Sequence, residues 1–80
     1  MSNNNIANYI ARRRVELGQR IRGVRSEKGW TQGQAAQFLK CSRRRVNRVE
    51  QGAAELGIAE IELLSKAMGV SIDKILQRPQ

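Results

Sequence analysis

The sequence predicts an all-α fold of five helices in one small domain. Apolar residues recur every three or four positions along most of the chain, the spacing of one helix face. One proline and one each of Trp, Tyr and Phe are too few for a strand-and-turn architecture. Eighty residues allow one small core. We therefore expect a flexible polar segment at residues 1–5 and a single domain at 6–78.

The first helix is expected to begin near Ile6. Its apolar face is formed by Ile6, Ile10, Leu17, Ile21 and Val24. Gly18 and Gly23 weaken it, each by about 1 kcal/mol relative to Ala. The pattern fits either one long helix or two pieces that meet near Leu17–Gly18, and Gly29 should end it.

Two short helices should follow, joined by a turn of about three residues. Thr31 and Gln34 have the spacing of a capping box, which predicts a second helix over about 31–39. Ser42 is the next capping residue and predicts a third helix over about 42–51, which Gly52 ends.

The remaining apolar residues predict two more helices after a loop at 53–57. The first has a stripe at Ile58, Ile61, Leu64, Ala67 and Met68, and Gly69 ends it. Ser71 should begin a last short helix containing Ile72, Ile75 and Leu76, with Pro79 at its end.

Charge and composition narrow the function classes. A net charge of +8 and a pI near 11.1 favour a polyanionic partner, either nucleic acid or an anionic membrane face, over a merely solvated basic surface. Histidine is absent, which removes the commonest general base and metal ligand, so we expect no catalytic residues, metal or cofactor. Cys41 is the only cysteine, and no apolar run approaches a membrane span. We expect a cytoplasmic protein that is not an enzyme.

Three consecutive arginines, at 43–45, open the third predicted helix. Positive charge at a helix N-terminus opposes the helix macrodipole, so an anionic partner at this end explains the run better than a solvated surface does. Arg44 and Arg48 lie four residues apart on one stripe, and a short helix of this kind fits the major groove of DNA.

Several motifs in register then carry a family resemblance. They are Arg-Ser-Glu-Lys-Gly-Trp-Thr-Gln at 25–32, Ala36, Val46, Val49, Glu-Gln-Gly at 50–52, and the segment 63–76. From about Gly18 to Leu76 the chain resembles the DNA-binding domain of phage repressors and Cro proteins, the Xre-type helix-turn-helix family. The resemblance implies a five-helix, lambda-repressor-like domain, here with an N-terminally extended first helix.

The resemblance also implies site residues. Base contacts are expected from Ser42, Arg43, Arg44 and Arg48. Phosphate contacts are expected from Gln32 by resemblance, and from Arg45 and Asn47 by helical spacing. Arg25 and Glu50 match an inward ion pair. Lys40 stands where the family usually has glycine in the turn, which implies either a strained left-handed residue or a shifted turn.

The expected function is a sequence-specific transcriptional regulator that binds double-stranded DNA, with repression favoured over activation. The apolar residues Met68, Ile72, Ile75 and Leu76 suggest a homodimer on a palindromic operator. For Arg12, Arg13 and Arg14, a solvated face, an additional phosphate contact and an arm entering the groove all stay open. Trp30 and Phe38 are expected to pack rather than to stack on bases.

Two rival functions belong to other classes. An antitoxin-type interaction protein would bind a partner toxin through an exposed apolar patch at Ile6, Tyr9 and Ile10 that becomes ordered with the partner. A non-specific binder of nucleic acid, RNA included, would show equal affinity for scrambled duplexes and a steep salt dependence.

Overall fold

The computed structural model describes residues 3–77 and contains five helices. They are α1 (Asn3–Glu27), α2 (Gln32–Leu39), α3 (Arg43–Glu50), α4 (Ile58–Met68) and α5 (Ile72–Leu76). The described range contains no strand. The predicted all-α class, the number of helices and the extended first helix are confirmed. Met1, Ser2 and the segment 78–80, with Pro79, lie outside the described residues.

The first helix is continuous, which decides between the two alternatives left by the sequence. It begins at Asn3, earlier than the predicted start at Ile6, so residues 3–5 of the expected flexible segment are helical. Extending a formed helix adds a hydrogen bond for each residue fixed, so polar residues can join its first turn. Gly29, with a φ of 75°, follows the end of α1 as expected.

Gly18 lets α1 approach the C-terminal end of α3 closely. A Cβ atom at this buried position would lie 2.9 Å from the Glu50 carbonyl oxygen and closer still to that of Val49. Gly52, with a φ of 80°, makes a similar approach, because its Cβ would lie 2.7 Å from Cγ2 of Val15. Both glycines are therefore required where α1 and α3 touch, and this contact fixes the position of α3.

Helices α2 and α3 each begin at a capped N-terminus and are joined by a tight turn. The Thr31 hydroxyl accepts from the Gln34 N–H at 3.0 Å and the Thr31 N–H donates to Gln34 Oε1 at 2.8 Å, which confirms the capping box. Lys40 ends α2 in the left-handed conformation, with φ 56° and ψ 45°. Ser42 then caps α3 by accepting from the Arg45 N–H at 3.0 Å. Of the two alternatives expected for the turn, the structure has the left-handed lysine, in a conformation that favours glycine, and not a shifted turn.

The core lies where α1, α3, α4 and α5 meet. Its buried members are Ile21, Val24, Val49, Leu56, Ile61, Leu64, Met68 and Ile75. A second cluster of Ala35, Ala36 and Val46 joins α2 to α3. Leu56 lies in the loop expected at 53–57, and its side chain is buried in the core.

Two expectations about apolar residues differ from the structure. Met68 and Ile75, expected at a dimer interface, are only 5% and 0% exposed, because α5 packs against α1 and α4. Ile72 and Leu76 are half-buried and also pack on the core. By contrast, Ile6 and Ile10, expected on the apolar face of the first helix, are 48% and 42% exposed, because the N-terminal part of α1 extends beyond the core. None of the described helices has both the length and the apolar character needed to cross a membrane.

Candidate nucleic-acid interface

Helix α3 has one buried face and one charged, exposed face. Val46, Val49 and Glu50 are buried against the rest of the domain. Arg43, Arg44 and Arg48, which were predicted to contact bases, are all exposed. The helix therefore presents three guanidinium groups to solvent on a scaffold anchored from behind.

The predicted ion pair between Arg25 and Glu50 is confirmed and holds α3 to α1. Arg25 Nε lies 2.6 Å from Glu50 Oε2, and Arg25 Nη2 lies 3.0 Å from Oε1. The two side chains are 12% and 2% exposed. Arg25 also donates to the Trp30 carbonyl oxygen at 2.6 Å. The hydrogen bond with Glu50 raises the pKa of Arg25, which keeps this guanidinium charged.

Arg45 has a different partner from the predicted phosphate. Its Nη1 and Nη2 lie 2.6 and 2.9 Å from the two carboxylate oxygens of Glu60 in α4. The hydrogen bonds from Arg45 lower the pKa of Glu60 to about 2. The Gly57 N–H, which donates to Glu60 at 3.0 Å, makes a smaller contribution in the same direction. In this structure the Arg45 guanidinium therefore ties α3 to α4, and the expected phosphate contact of Arg45 stays a prediction.

Gln32 likewise directs its donors inward. Its Nε2 donates to Asn47 Oδ1 at 3.2 Å and to Glu50 Oε1 at 3.0 Å. Both hydrogens of the amide are thus used within the protein, so the side chain cannot donate to a phosphate in this conformation. Asn47, the other residue expected at the backbone, is partly exposed and keeps its Nδ2 group for an outside acceptor.

The remaining predicted base contacts are accessible. Ser42 is exposed, and although its oxygen accepts from the Arg45 N–H, its hydroxyl hydrogen can still donate outward. Arg48 makes one long hydrogen bond to the Ala53 carbonyl oxygen, at 3.4 Å. A contact of that length holds the side chain weakly, so Arg48 can turn towards a ligand.

The upstream arginine run divides into different roles. Arg13 donates to the carbonyl oxygens of Leu76 and Gln77, at 2.7 and 3.1 Å, and so binds the C-terminal end of α5. Arg14 lies 3.4 Å from Glu55. Of the three, Arg12 is exposed, whereas Arg13 and Arg14 are partly buried. Arg13 and Arg14 thus have partners within the protein, and an additional DNA contact by any of the three arginines stays a prediction.

Two relevant residues were missed from the sequence. Gln51 is exposed and lies three residues after Arg48, so it extends the outward face of α3. Its position beside Gly52 was visible but suggested only a helix end. Glu60 lies three residues after Gly57, the N-cap of α4, and accepts from the Gly57 N–H; this spacing of an acidic residue from a helix start could have been noticed.

Glu50, the acidic residue of α3, and Glu60, the acidic residue of α4 that bonds to α3, each lie in an ion pair with arginine. Glu50 pairs with Arg25 and Glu60 with Arg45. The exposed Lys40 adds a positive charge at the turn before Arg43. The α3 surface therefore has a net positive field, and it suits an anionic partner that is narrow enough to meet one short helix.

Comparison with known proteins agrees with this geometry. The sequence model of the family described as "Helix-turn-helix domain" matches residues 16–76. The competence pilus inhibition repressor of Acinetobacter baylyi is 33% identical over 61 residues, which cover 76% of this chain and 56% of that protein. The SPbeta prophage-derived HTH-type transcriptional regulator YonR of Bacillus subtilis is 35% identical over 61 residues, with the same coverage of 76% and 56%. The chain thus matches little more than half the length of these curated relatives.

Solved structures of regulators have the same architecture. The restriction–modification controller protein C.AhdI of Aeromonas hydrophila is 29% identical with a TM-score of 0.70, over 78% of this chain and 94% of that one. The clp gene regulator ClgR of C. glutamicum is 26% identical with a TM-score of 0.74, over 81% and 83%. The hypothetical transcription factor NHTF from Neisseria is 31% identical with a TM-score of 0.71, over 84% and 77%. The part of α1 before residue 16 lies outside the family match.

Proposed function

This chain belongs to the helix-turn-helix domain family, and from that premise we propose that it is a sequence-specific DNA-binding transcriptional regulator. It acts by binding rather than by catalysis, in the cytoplasm, and α3 enters the major groove. One observation carries the proposal: α3 exposes Arg43, Arg44 and Arg48 while its other face is fixed by two ion pairs. Arginine donates to O6 and N7 of guanine, so guanine-containing half-sites are expected.

A dimer on a palindromic operator follows from the size of α3. Eight residues make a helix about 12 Å long, which reaches only about three or four base pairs. One such contact gives little discrimination among many competing sites. A two-fold dimer would double the sequence read and place the two α3 helices about 34 Å apart. Since Met68 and Ile75 are buried, such a dimer would use the exposed part of Ile72 and Leu76 with neighbouring surface.

Repression is the favoured sign of regulation. A bound dimer blocks access of other proteins to the same DNA without any further contact. One relative that matches three quarters of this chain is named a repressor, which supports the same choice. A reporter gene placed behind a selected operator would show lower expression when the protein is supplied, whereas higher expression would identify an activator.

The central test is selection of bound duplexes from a random pool, followed by measurement of affinity and of complex size. The parent should enrich a palindromic sequence and bind it with two protomers. Arg44→Ala should lower specific affinity by about 1–3 kcal/mol and relax base choice at one position. Lys66→Ala removes one exposed charge from α4 and serves as the matched control, with little effect on base choice. Equal affinity of the parent for scrambled duplexes would instead support the non-specific binder.

An antitoxin-type interaction protein is the second candidate, and one observation favours it. Ile6, Tyr9 and Ile10 are 48%, 59% and 42% exposed in the part of α1 outside the family match. The patch is already helical, so a partner would dock on it rather than order it. Replacing the three residues with Ser should abolish binding of such a partner without changing DNA affinity. A loss of DNA affinity instead would assign the patch to the DNA-bound assembly.

A further inference from the structure

A chain of hydrogen bonds joins the buried ion pair to the outward face of α3. Arg25 donates to both oxygens of Glu50, at 2.6 and 3.0 Å. Gln32 Nε2 donates to Glu50 Oε1 at 3.0 Å and to Asn47 Oδ1 at 3.2 Å. These hydrogen bonds therefore connect α1, through the first residue of α2, to a partly exposed side chain of α3.

The chemistry of each group fixes the direction of this chain. A guanidinium only donates and a carboxylate only accepts, so Glu50 must receive hydrogen bonds from both neighbours. Gln32 must then turn its NH₂ group, and not its oxygen, towards Glu50. The second hydrogen of that NH₂ reaches Asn47, which must therefore turn its oxygen inward. The Asn47 amide cannot be flipped without breaking a hydrogen bond.

We propose that Gln32 is a positioning residue that fixes Asn47 as a hydrogen-bond donor towards DNA. The inference rests on the proposed function, since it assumes that α3 lies against DNA. Asn47 lies three residues after Arg44 and four after Arg43, so it shares their exposed face. With Oδ1 committed to Gln32, the group left for DNA is the Nδ2 amine.

This orientation determines which DNA groups Asn47 can recognise. Asparagine reads adenine by donating to N7 and accepting from N6, which needs both ends of the amide. An amide that offers only its donor fits any acceptor instead, such as N7 of either purine, O6 of guanine, O4 of thymine or a phosphate oxygen. We therefore expect Asn47 not to select adenine over guanine.

The test is a double-mutant cycle on a duplex selected by the parent protein. Gln32→Met removes the amide donors at similar length, and Asn47→Ala removes the side chain they orient. We expect each single change to weaken binding about tenfold, and Gln32→Met to weaken it less than twofold further when Asn47 is already Ala. Gln37→Met makes the same change at an exposed position of α2 and should leave affinity unaltered.

Two further measurements distinguish a positioning role of Gln32 from a loss of folding. Gln32→Lys supplies donors only, so it should retain the coupling with Asn47. Thermal unfolding of each variant reports its stability. If Asn47 donates to a base, Asn47→Ala changes preference at one position of the selected duplex. If it donates to a phosphate, affinity falls equally for all duplexes.

The outcomes distinguish this inference from the proposed function. A parent that enriches no duplex overturns both. A parent that binds selectively while Gln32→Met and Asn47→Ala act additively overturns only the role of Gln32. An Asn47-dependent preference for adenine would overturn the donor orientation.

Discussion

Glu50 accepts hydrogen bonds from two helices, through Arg25 of α1 and Gln32 of α2, while its own side chain is 2% exposed. Removing the charge of a buried pair from one side leaves the other charge uncompensated. At the scale of single residues, this carboxylate therefore contributes both to the stability of the domain and to the position of α3.

Glu50→Gln should therefore destabilise the domain strongly. We expect a loss of about 3–5 kcal/mol in the free energy of unfolding, because the buried Arg25 guanidinium loses its counter-charge. Urea unfolding of the purified protein measures this. Glu62→Gln, at an exposed position of α4, is the control and should change stability by less than about 0.5 kcal/mol. A loss below 1 kcal/mol at Glu50 would contradict the role given to the pair.

Glu60 gives a pH-dependent prediction. Its hydrogen bonds with Arg45 lower its pKa from an ordinary value of 4.5 to about 2. A lowered pKa in the folded state means that the pair stabilises the protein above pH 4.5 and loses that effect as the pH falls towards 2. Since Glu60 is about one-third exposed, solvent screening reduces the effect to about 1 kcal/mol.

Comparison with Glu60→Gln isolates this contribution, because glutamine keeps an oxygen for the Gly57 N–H but cannot ionise. The difference in unfolding free energy between parent and variant should be present at pH 6 and shrink between pH 4.5 and 2. A difference that stays constant over that range would show that the ion pair does not set it.

At the scale of helices, close backbone contact positions α3. Sequence patterns predicted α2 closely, because Thr31 and Gln34 form a local capping box. They could not reveal why Gly18 stands in α1, because the reason is a contact with Val49 and Glu50, distant in sequence. The same limit applied to Arg45, whose partner Glu60 becomes apparent only when α3 and α4 are packed together.

The two glycines of α1 should respond oppositely to alanine. Gly18→Ala forces a methyl group against the end of α3, which should cost about 1–3 kcal/mol or more and displace that helix. At Gly23 a Cβ would meet nothing within 4 Å, so Gly23→Ala should stabilise the domain by about 1 kcal/mol. Thermal unfolding of both variants checks this pair. Equal effects would mean that the helices do not touch at Gly18.

The turn between α2 and α3 offers a stabilising substitution. Lys40 has a φ of 56°, the left-handed conformation that an L-residue adopts at a cost of about 1–2 kcal/mol. Lys40→Gly should relieve this and, after the entropy that glycine loses on folding, raise stability by about 0.5–1 kcal/mol. Lys28→Gly is the control, since Lys28 does not have a positive φ, and it should destabilise instead. The two denaturation midpoints should move in opposite directions.

At the scale of the whole molecule, some basic residues are paired with acids, and a group of exposed ones surrounds α3. Arg13, Arg14, Arg25, Arg45 and Lys74 are paired with acids, whereas Lys40, Arg43, Arg44 and Arg48 stay exposed around α3. The net charge and the arginine run at 43–45 indicated a nucleic-acid partner before any fold was known. Which of the arginines are available could not be predicted, because the occupied ones differ only in their packing.

This arrangement predicts the salt dependence of DNA binding. Four exposed cations around α3 should release counterions with a slope of about −3 to −4 per protomer in a plot of log affinity against log salt. Arg44→Ala should reduce the magnitude of the slope by about 1. Titrations at several salt concentrations measure both values. A slope near −1 for the parent would place the contacts elsewhere.

The division of α3 into anchoring and outward residues also bears on how such proteins diversify. Val46, Val49 and Glu50 hold the helix, while Arg43, Arg44 and Arg48 take no part in the core, so the outward set can change without refolding the domain. Asn47 is the exception, because its amide is bonded to Gln32. Positions 32 and 47 should therefore covary among descendants of this protein, with a new residue at one selecting a matching residue at the other.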